Sequence, residues 1–588
     1  MHKIQLHKNV KAVLVIALIS VLLLSPMILN HTAIMGVDSY FQNNRIYEAA
    51  MQIKHGNFSF MNLYSFQQSG RIVNEVYSPL LGYVFGALLL VTGTWFKFEV
   101  LTNGLLFFLA GITTYFAARK LRVSFKMSVA TAAIFMSSTS IYGYTFGGTW
   151  RAFALALVPL IVIPMVNFYN RDWSMRAMLS LTVIVAAIFQ AQLLTMLLVL
   201  PFLVVPFIVG WLKTSHKIQA LVRCIIAAII ALVLSLNVIL PYLELVKQNT
   251  LVPPVSMNLQ DGTMNLIVPS PGQLDRTLIS FILYLALAGM IMFWHKLQPI
   301  VKIITIMSIT YIVLGSSLLP WQTINEHAPA LRNFLQMPSR LPIIGIPLLM
   351  IGTAAIYTNI YRANRSEVLK QVVSFVTIMM GIMAVMSLLV TFNKRVLNYR
   401  NPEISVANGL ETTDEVIVVR KDDGTKPKSI VDLQPALHSH DLSKLITVID
   451  RVTPDYLPVK VADYSQVNYY QAYRKEIAEQ RTDYQHVVKP NGVLELRWQA
   501  EKSGTQNVPA VAYYRTKVKL NNHEIKPSQR KISDVGSLKV DQKQGDNVLS
   551  LQYVPAKSTM FGVLLATFGW VVALIAVAIL AIRQRSDY

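Results

Sequence analysis

The chain has 588 residues, of which 53% are hydrophobic and 14% charged, with a mean hydropathy of +0.45. Soluble chains carry about 25% charged residues, so an ordinary cytosolic protein is excluded. The formal charge of +22 comes from 53 Lys+Arg against 31 Asp+Glu; it gathers in short loops such as Arg119–Lys126, Arg171–Arg176 and Lys213–Lys217, as cytoplasmic loops do under the positive-inside rule, and no aromatic-interleaved basic groove points to nucleic acid.

Cys224, the one cysteine, leaves no internal disulfide and no multi-cysteine metal site. The first apolar run, Val13–Leu29, lacks a clear small-x-small cleavage site and is followed by further spans, so it is expected to stay as an uncleaved first helix with the N-terminus inside. A polar, aromatic-rich stretch from Asn30 to Ser78 follows, too long for a routine connection. Apolar segments then run at 79–94, 99–117, 128–143, 152–168, 177–190, 193–210, 219–240, 277–294, 299–316, 341–360, 371–392 and 560–582. A bilayer span needs about 20 apolar residues, and the reading is an α-helical polytopic membrane protein with about 12–14 membrane segments.

Keeping every basic loop inside requires 79–94 and 99–117 to cross only once between them. The first, with a Pro and three Gly, is then interfacial or re-entrant; the alternative, in which 177–210 crosses once, leaves the basic loops at 119 and 171 outside, against the charge rule. Either solution leaves 30–78, 242–276, 317–340 and 393–559 outside. The last carries alternating runs at Val493–Trp498, Thr516–Leu520 and Val548–Tyr553, separated by Asn-Gly, Asn-Asn and Gly-Asp turn signals, and predicts a β-rich extracytoplasmic domain. The expected division is a membrane module 1–392, a β-sandwich-like domain 393–559, and a final helix with basic tail 560–588.

Four clusters stand out. Asp38 follows the first membrane exit and Arg45 lies two helical turns on, offering a base and a phosphate clamp at the bilayer surface. A solvated flank with an interfacial amphipathic helix, Arg45 and Lys54 touching headgroups, gives the same pattern. Arg151, after Gly147-Gly148, opens an apolar helix and either binds an anion or snorkels. Gln190, Gln192 and Thr195 form a polar turn between two apolar runs, a pattern that often only satisfies a helix turn. Gln336, Pro338 and Arg340 precede a span, with Arg340 at headgroup depth. Asp450, Asp455 and Asp463 show no metal-loop spacing.

In order and setting these clusters resemble bacterial polytopic proteins of the GT-C glycosyltransferase class, particularly the YfhO-like group, over most of the chain. Asp38, Phe41, Arg45, Gly56, Phe58, Tyr77 and Pro79 match its first-loop pattern; Gln192–Thr195 and Gln336, Pro338 and Arg340 match later elements. Val508–Tyr514, Asn521-Asn522, Gly545–Asn547 and Tyr553 match its β-sandwich. The chain departs from the group at Gln42 or Asn43 and Gln192, where histidines are common, and at Arg151, where a Glu is common.

The resemblance implies a membrane glycosyltransferase that takes a sugar from a polyprenyl-phosphate donor and passes it to an envelope polymer or glycolipid acceptor on the outer face, without cofactor or metal. Asp38 is then the catalytic base, Arg45 and Arg340 hold the lipid phosphate in a shared cavity, and Gln336, Tyr77 and Arg151 line the substrate. Glu48 and Glu75 are candidate second acids. A lipid-linked solute transporter or flippase, or a non-catalytic envelope scaffold, are the readings from other classes; the mid-span segments carry almost none of the acids a transporter uses.

Overall fold

The computed structural model describes residues 2–36, 38–255, 257–267, 274–363, 367–403, 417–419 and 430–586. They divide into two compact units. The first comprises Met1–His31, Val100–Leu232 and Ser256–Leu397, the second Thr32–Glu99, Val233–Val255 and Asn398–Tyr588.

Among the described residues, eight helices are long and apolar enough to cross a bilayer: Lys8–Leu29, Trp95–Lys120, Arg151–Tyr169, Leu193–Lys213, Leu274–Lys296, Arg340–Arg362, Lys370–Arg400 and Lys557–Leu580. The broken pair Lys217–Val233 and Leu236–Gln248 makes a ninth if counted as one span, and Pro79–Thr92, Met175–Ala191 and Pro299–Leu314 are shorter apolar helices. Length and composition make this a multi-pass membrane protein. Burial grades the spans, since Arg340–Arg362 is 89% buried whereas Lys557–Leu580 is 11% buried. A helix apolar all round and barely covered by protein is one that lipid must cover.

One sequence expectation changes here. The expected span at 128–143 is broken: Phe125–Met136 ends at Ser137, and a new helix, Thr139–Gly147, starts after Ser138. Twelve residues rise only about 18 Å, short of the ~30 Å hydrocarbon core. Pro79–Thr92, at 14 residues, reaches about 21 Å and is likewise too short to span unaided. In contrast, Arg151–Leu157, Val158–Ile161 and Val162–Tyr169 follow one another directly. The 3₁₀ turn in their middle falls where Pro159 withholds an N–H.

The second unit carries the strands: β1 (Ile417–Val419), β2 (Ile449–Arg451), β3 (Gln485–Lys489), β4 (Val493–Ala500), β5 (Gly504–Val511), β6 (Thr516–Leu520), β7 (His523–Glu524), β8 (Lys531–Ile532), β9 (Ser537–Gln542) and β10 (Gly545–Tyr553). They form antiparallel sheets in the orders β1-β2, β3-β4-β10-β6-β7 and β5-β9-β8. Asn521 and Asn522, both with positive φ, make the two-residue β6–β7 turn. Along β10, Asn547, Leu549, Leu551 and Tyr553 point inward at alternate positions, and Leu549 and Leu551 pair with Leu496 and Leu494 of β4.

Val508, Val511, Leu538 and Val540 of the three-stranded sheet share one core with these residues. That core also takes in Met61, Leu63 and Ile72 from the first long loop and Leu245 and Val252 from 233–255. The register of β5 against β9 shifts between Val508 and Val511. Pro509 lies within the shift and has no N–H for the ladder, while the N–H of Val511 instead donates to the Ser69 carbonyl at 2.7 Å. A local irregularity of one strand thereby fastens a segment more than 400 residues earlier in the chain.

Candidate active site at the first-loop helix

The helix Ser39–His55 begins at Asp38 and ends at Gly56, whose left-handed φ of 61° lets its N–H reach the Gln52 and Ile53 carbonyls. Polar side chains recur along it at helical spacing, and Asn44, Arg45, Glu48 and Gln52 are buried. The polar stripe therefore faces the protein. For Arg45 this overturns the alternative of a side chain lying among lipid headgroups.

Glu48, 0% exposed, is the anchor of the following loop. Its Oε1 accepts from the Leu63 N–H at 2.8 Å and from Gln52 Nε2 at 3.0 Å; its Oε2 accepts from the N–H groups of Tyr64 and Ser65 and from Ser65 Oγ. Burial pushes this carboxyl upward and those donors pull it back. Three consecutive backbone donors need an acceptor-only partner, so the arrangement favours the carboxylate. Beyond it Phe66, Gln67 and Gln68 all have positive φ, a costly run for residues with a Cβ. Tyr473 Oη donates to Gln67 Oε1 at 2.5 Å, and the Arg71 guanidinium lies over the rings of Phe66 and Tyr473 while donating to the Thr453 and Asp455 carbonyls. The loop's unusual backbone is thus set by residues from the β-rich part of the same unit.

Arg45 is 1% exposed. Its Nε donates to Asn74 Oδ1 at 3.1 Å, one terminal nitrogen to Gln42 Oε1 at 2.8 Å and the other to the Ser78 carbonyl at 3.3 Å. Its guanidinium carbon stands 4.8 Å from the centre of the Tyr77 ring, which is also in edge contact with Phe41 and Tyr456. Burial lowers Arg45 to about 10, against the opposing effect of Tyr77 and Glu75. Glu75, also buried, is pushed up to about 8 by desolvation, with Arg45 pulling the other way.

Burial separates the acids of the first loop. Glu48 and Glu75 are inside, whereas Asp38, at the helix start, is exposed. The structure brings Arg45 and Tyr77 together. It also brings together Gln336 and Arg340, whose side chains bond at 2.5 Å, with Gln336 held at φ 60° after the Pro329–Leu335 helix. Asp38, Arg45 and Tyr77 lie in the second unit, and Arg151, Gln336 and Arg340 in the first. Arg151, half-buried, opens its span directly after buried Trp150. Thr195 Oγ1 donates to Gln192 Oε1 at 2.5 Å, beside the break between two helices, where the Gln192 N–H donates to the Ile188 carbonyl and its carbonyl accepts from Met196.

The sequence reading did not single out Asn74, Gln42 or Arg71 as partners. Their signal was polar periodicity on a helix and polar spacing in a loop, which marks a face without saying what covers it. Among the described residues, no group of three or more His, Cys, Asp or Glu side chains is placed to hold a metal ion.

No family model matches the chain, and no curated protein matches it. Among solved structures it is similar to the crystal structure of ArnT from Cupriavidus metallidurans bound to undecaprenyl phosphate, at 12% identity and a TM-score of 0.39, covering 68% of this chain and 81% of that one. A likeness at that level fixes neither an activity nor a site.

Proposed function

We propose that this chain is a membrane glycosyltransferase of the lipid-linked-donor type, moving a sugar from a polyprenyl phosphate to an envelope polymer or glycolipid acceptor on the outer face of the membrane. The reading is supported by the ordered residue pattern of the first loop and by one structural observation: Asp38, the N-cap of Ser39–His55, is the first-loop acid left exposed, while Glu48 and Glu75 are buried.

In the proposed reaction the acceptor hydroxyl gives its proton to the Asp38 carboxylate as its oxygen bonds to the anomeric carbon. The bond from that carbon to the phosphate oxygen breaks, and the lipid phosphate leaves with the electron pair, inverting the centre. Arg45 is proposed as a positioning residue, since its donors are turned to Asn74, Gln42 and Ser78 and its face to Tyr77.

The test compares envelope glycans by mass spectrometry in cells lacking the gene and in cells carrying Asp38→Asn at matched membrane abundance. Loss of the same sugar from both is expected, with transfer in the variant down about 10²–10⁴-fold, the range for removal of a general base. A glycan that disappears on deletion yet persists with Asp38→Asn would remove Asp38 from the chemistry; no glycan change in either strain would sink the transferase reading.

A further inference from the structure

The first unit contains a cavity of about 700 Å³ that the transfer reading does not use. It lies among the Thr139–Gly147 helix, the start of Leu274–Phe293 and the second half of Glu367–Arg400. Its polar wall holds Tyr142, Asp275, Arg276 and Arg395. Tyr142 Oη donates to Asp275 Oδ2 at 2.8 Å, which fixes that carboxylate, and the Arg395 guanidinium carbon is 5.8 Å from the Phe146 ring centre. Two guanidiniums against one carboxylate leave this wall with an excess of positive charge.

The same span that brings Arg395 also supplies apolar lining. Met383 and Met386, from the Lys370–Arg400 span, line the cavity and are 49% and 53% exposed. That span is only 22% buried, and the exposure of these two side chains leaves the apolar lining reachable by lipid chains. Arg276 stands in the first turn of Leu274–Phe293 and Arg395 within two turns of the end of Glu367–Arg400, the depth at which headgroups meet a span. Cations at headgroup depth beside an apolar slot open to lipid match a molecule with a charged end and a hydrocarbon end.

We propose that this cavity binds an anionic amphiphile, a phosphodiester lipid whose phosphate meets Arg276 and Arg395 and whose chain lies along Met383 and Met386. The apolar wall favours a membrane lipid over a soluble phosphate, and the two sources are separable by experiment. This proposal stands apart from sugar transfer and is read by binding alone.

The protein purified in an uncharged detergent is titrated with phosphatidylglycerol, phosphatidylcholine or glycerol 1-phosphate and followed by native mass spectrometry and thermal shift. Phosphatidylglycerol is expected to bind at least ten-fold more tightly than phosphatidylcholine and to raise the unfolding temperature by mass action, and glycerol 1-phosphate to bind at least ten-fold more weakly. Arg276→Gln with Arg395→Gln should abolish the preference between the two lipids. Met386→Trp, which fills the apolar half and leaves the charges, should weaken phosphatidylglycerol by a similar factor and serves if the double variant does not fold. Equal binding of the two lipids overturns the proposal, as does phosphatidylglycerol binding undiminished by both sets of changes. Glycerol 1-phosphate binding as tightly as the lipid makes the site one for soluble phosphate and also overturns it.

Discussion

The environment of Glu75 gives the second unit a pH dependence whose sign can be worked out. Its carboxyl is pushed from the ordinary 4.5 to about 8 by burial, so between those values the folded state binds a proton that the unfolded state has released. Stability contributed by the protonated form is complete below about 4.5 and lost as pH rises through about 8. Glu75→Gln keeps the neutral shape and removes the titration. The unfolding temperature of the unaltered protein should therefore fall relative to Glu75→Gln between pH 5 and pH 8.5, a comparison that differential scanning fluorimetry makes directly; parallel curves would show that Glu75 does not titrate in this window. Arg45 is the counterweight, which is why its buried guanidinium and Glu75 are best read as one electrostatic unit behind Tyr77.

At the scale of an element, the Ser39–His55 helix is held by polar contacts on one side and close backbone approach on the other. A Cβ on Gly86, in the neighbouring Pro79–Thr92 helix, would come within 2.6 Å of the Ala50 nitrogen, so the two helices meet at a separation only glycine permits. Glu48→Ala strands the buried N–H groups of Leu63 and Ser65 and the part-buried one of Tyr64. With about 1–3 kcal/mol for each unsatisfied buried group, the expected loss is at least ~2 kcal/mol, seen as a lowered unfolding temperature and reduced membrane abundance. Lys54→Ala, exposed on the same helix, should change stability by no more than about 0.5 kcal/mol. Similar losses in both variants would mean that the carboxylate does not anchor the loop.

Gly70 is a second point of attachment. Its φ is +77°, and a Cβ there would lie 2.9 Å from Leu551 Cδ1 and 3.1 Å from the Val511 carbonyl oxygen. Gly70→Ala should therefore cost more than about 1 kcal/mol, combining backbone strain with a clash against β10. Reduced protection from protease over both 56–78 and the strands is the expected readout; a variant as protected as the parent would show that the loop can shift without cost.

For the whole molecule, the open quantity is sidedness, and basic-loop asymmetry sets the expectation. Lys126 is exposed and makes a better reporter than Ser124, whose hydroxyl caps the Phe125–Met136 helix by accepting from the Met127 N–H. In a protein with Cys224 replaced by Ser, Lys126→Cys should resist a membrane-impermeant maleimide in intact cells. Ser503→Cys, exposed between β4 and β5, should react. The reverse pattern would put the strands on the cytoplasmic side and end the outer-face reading.

The sequence alone determined the membrane class, most of the long spans and the β-rich character of the late region. Those properties are sums over neighbouring residues: hydropathy over about 20 positions, alternation along Val493–Trp498 and Val548–Tyr553, and the backbone demands of Asn521-Asn522. It also singled out Asp38 and Arg45 as candidates, by their spacing after the first span. Tertiary structure decided that Asp38 is exposed while Arg45, Glu48 and Glu75 are inside, because helical periodicity defines a face without stating what will cover it. It decided, too, that the 128–143 run breaks at Ser137 and that the first loop shares a core with β4, β5, β6, β9 and β10. The bond from Val511 to Ser69 and the cavity bounded by Tyr142, Asp275 and Arg395 join positions far apart in the chain. No local pattern contains such pairings, since each partner's polar group is satisfied only once folding has delivered the other.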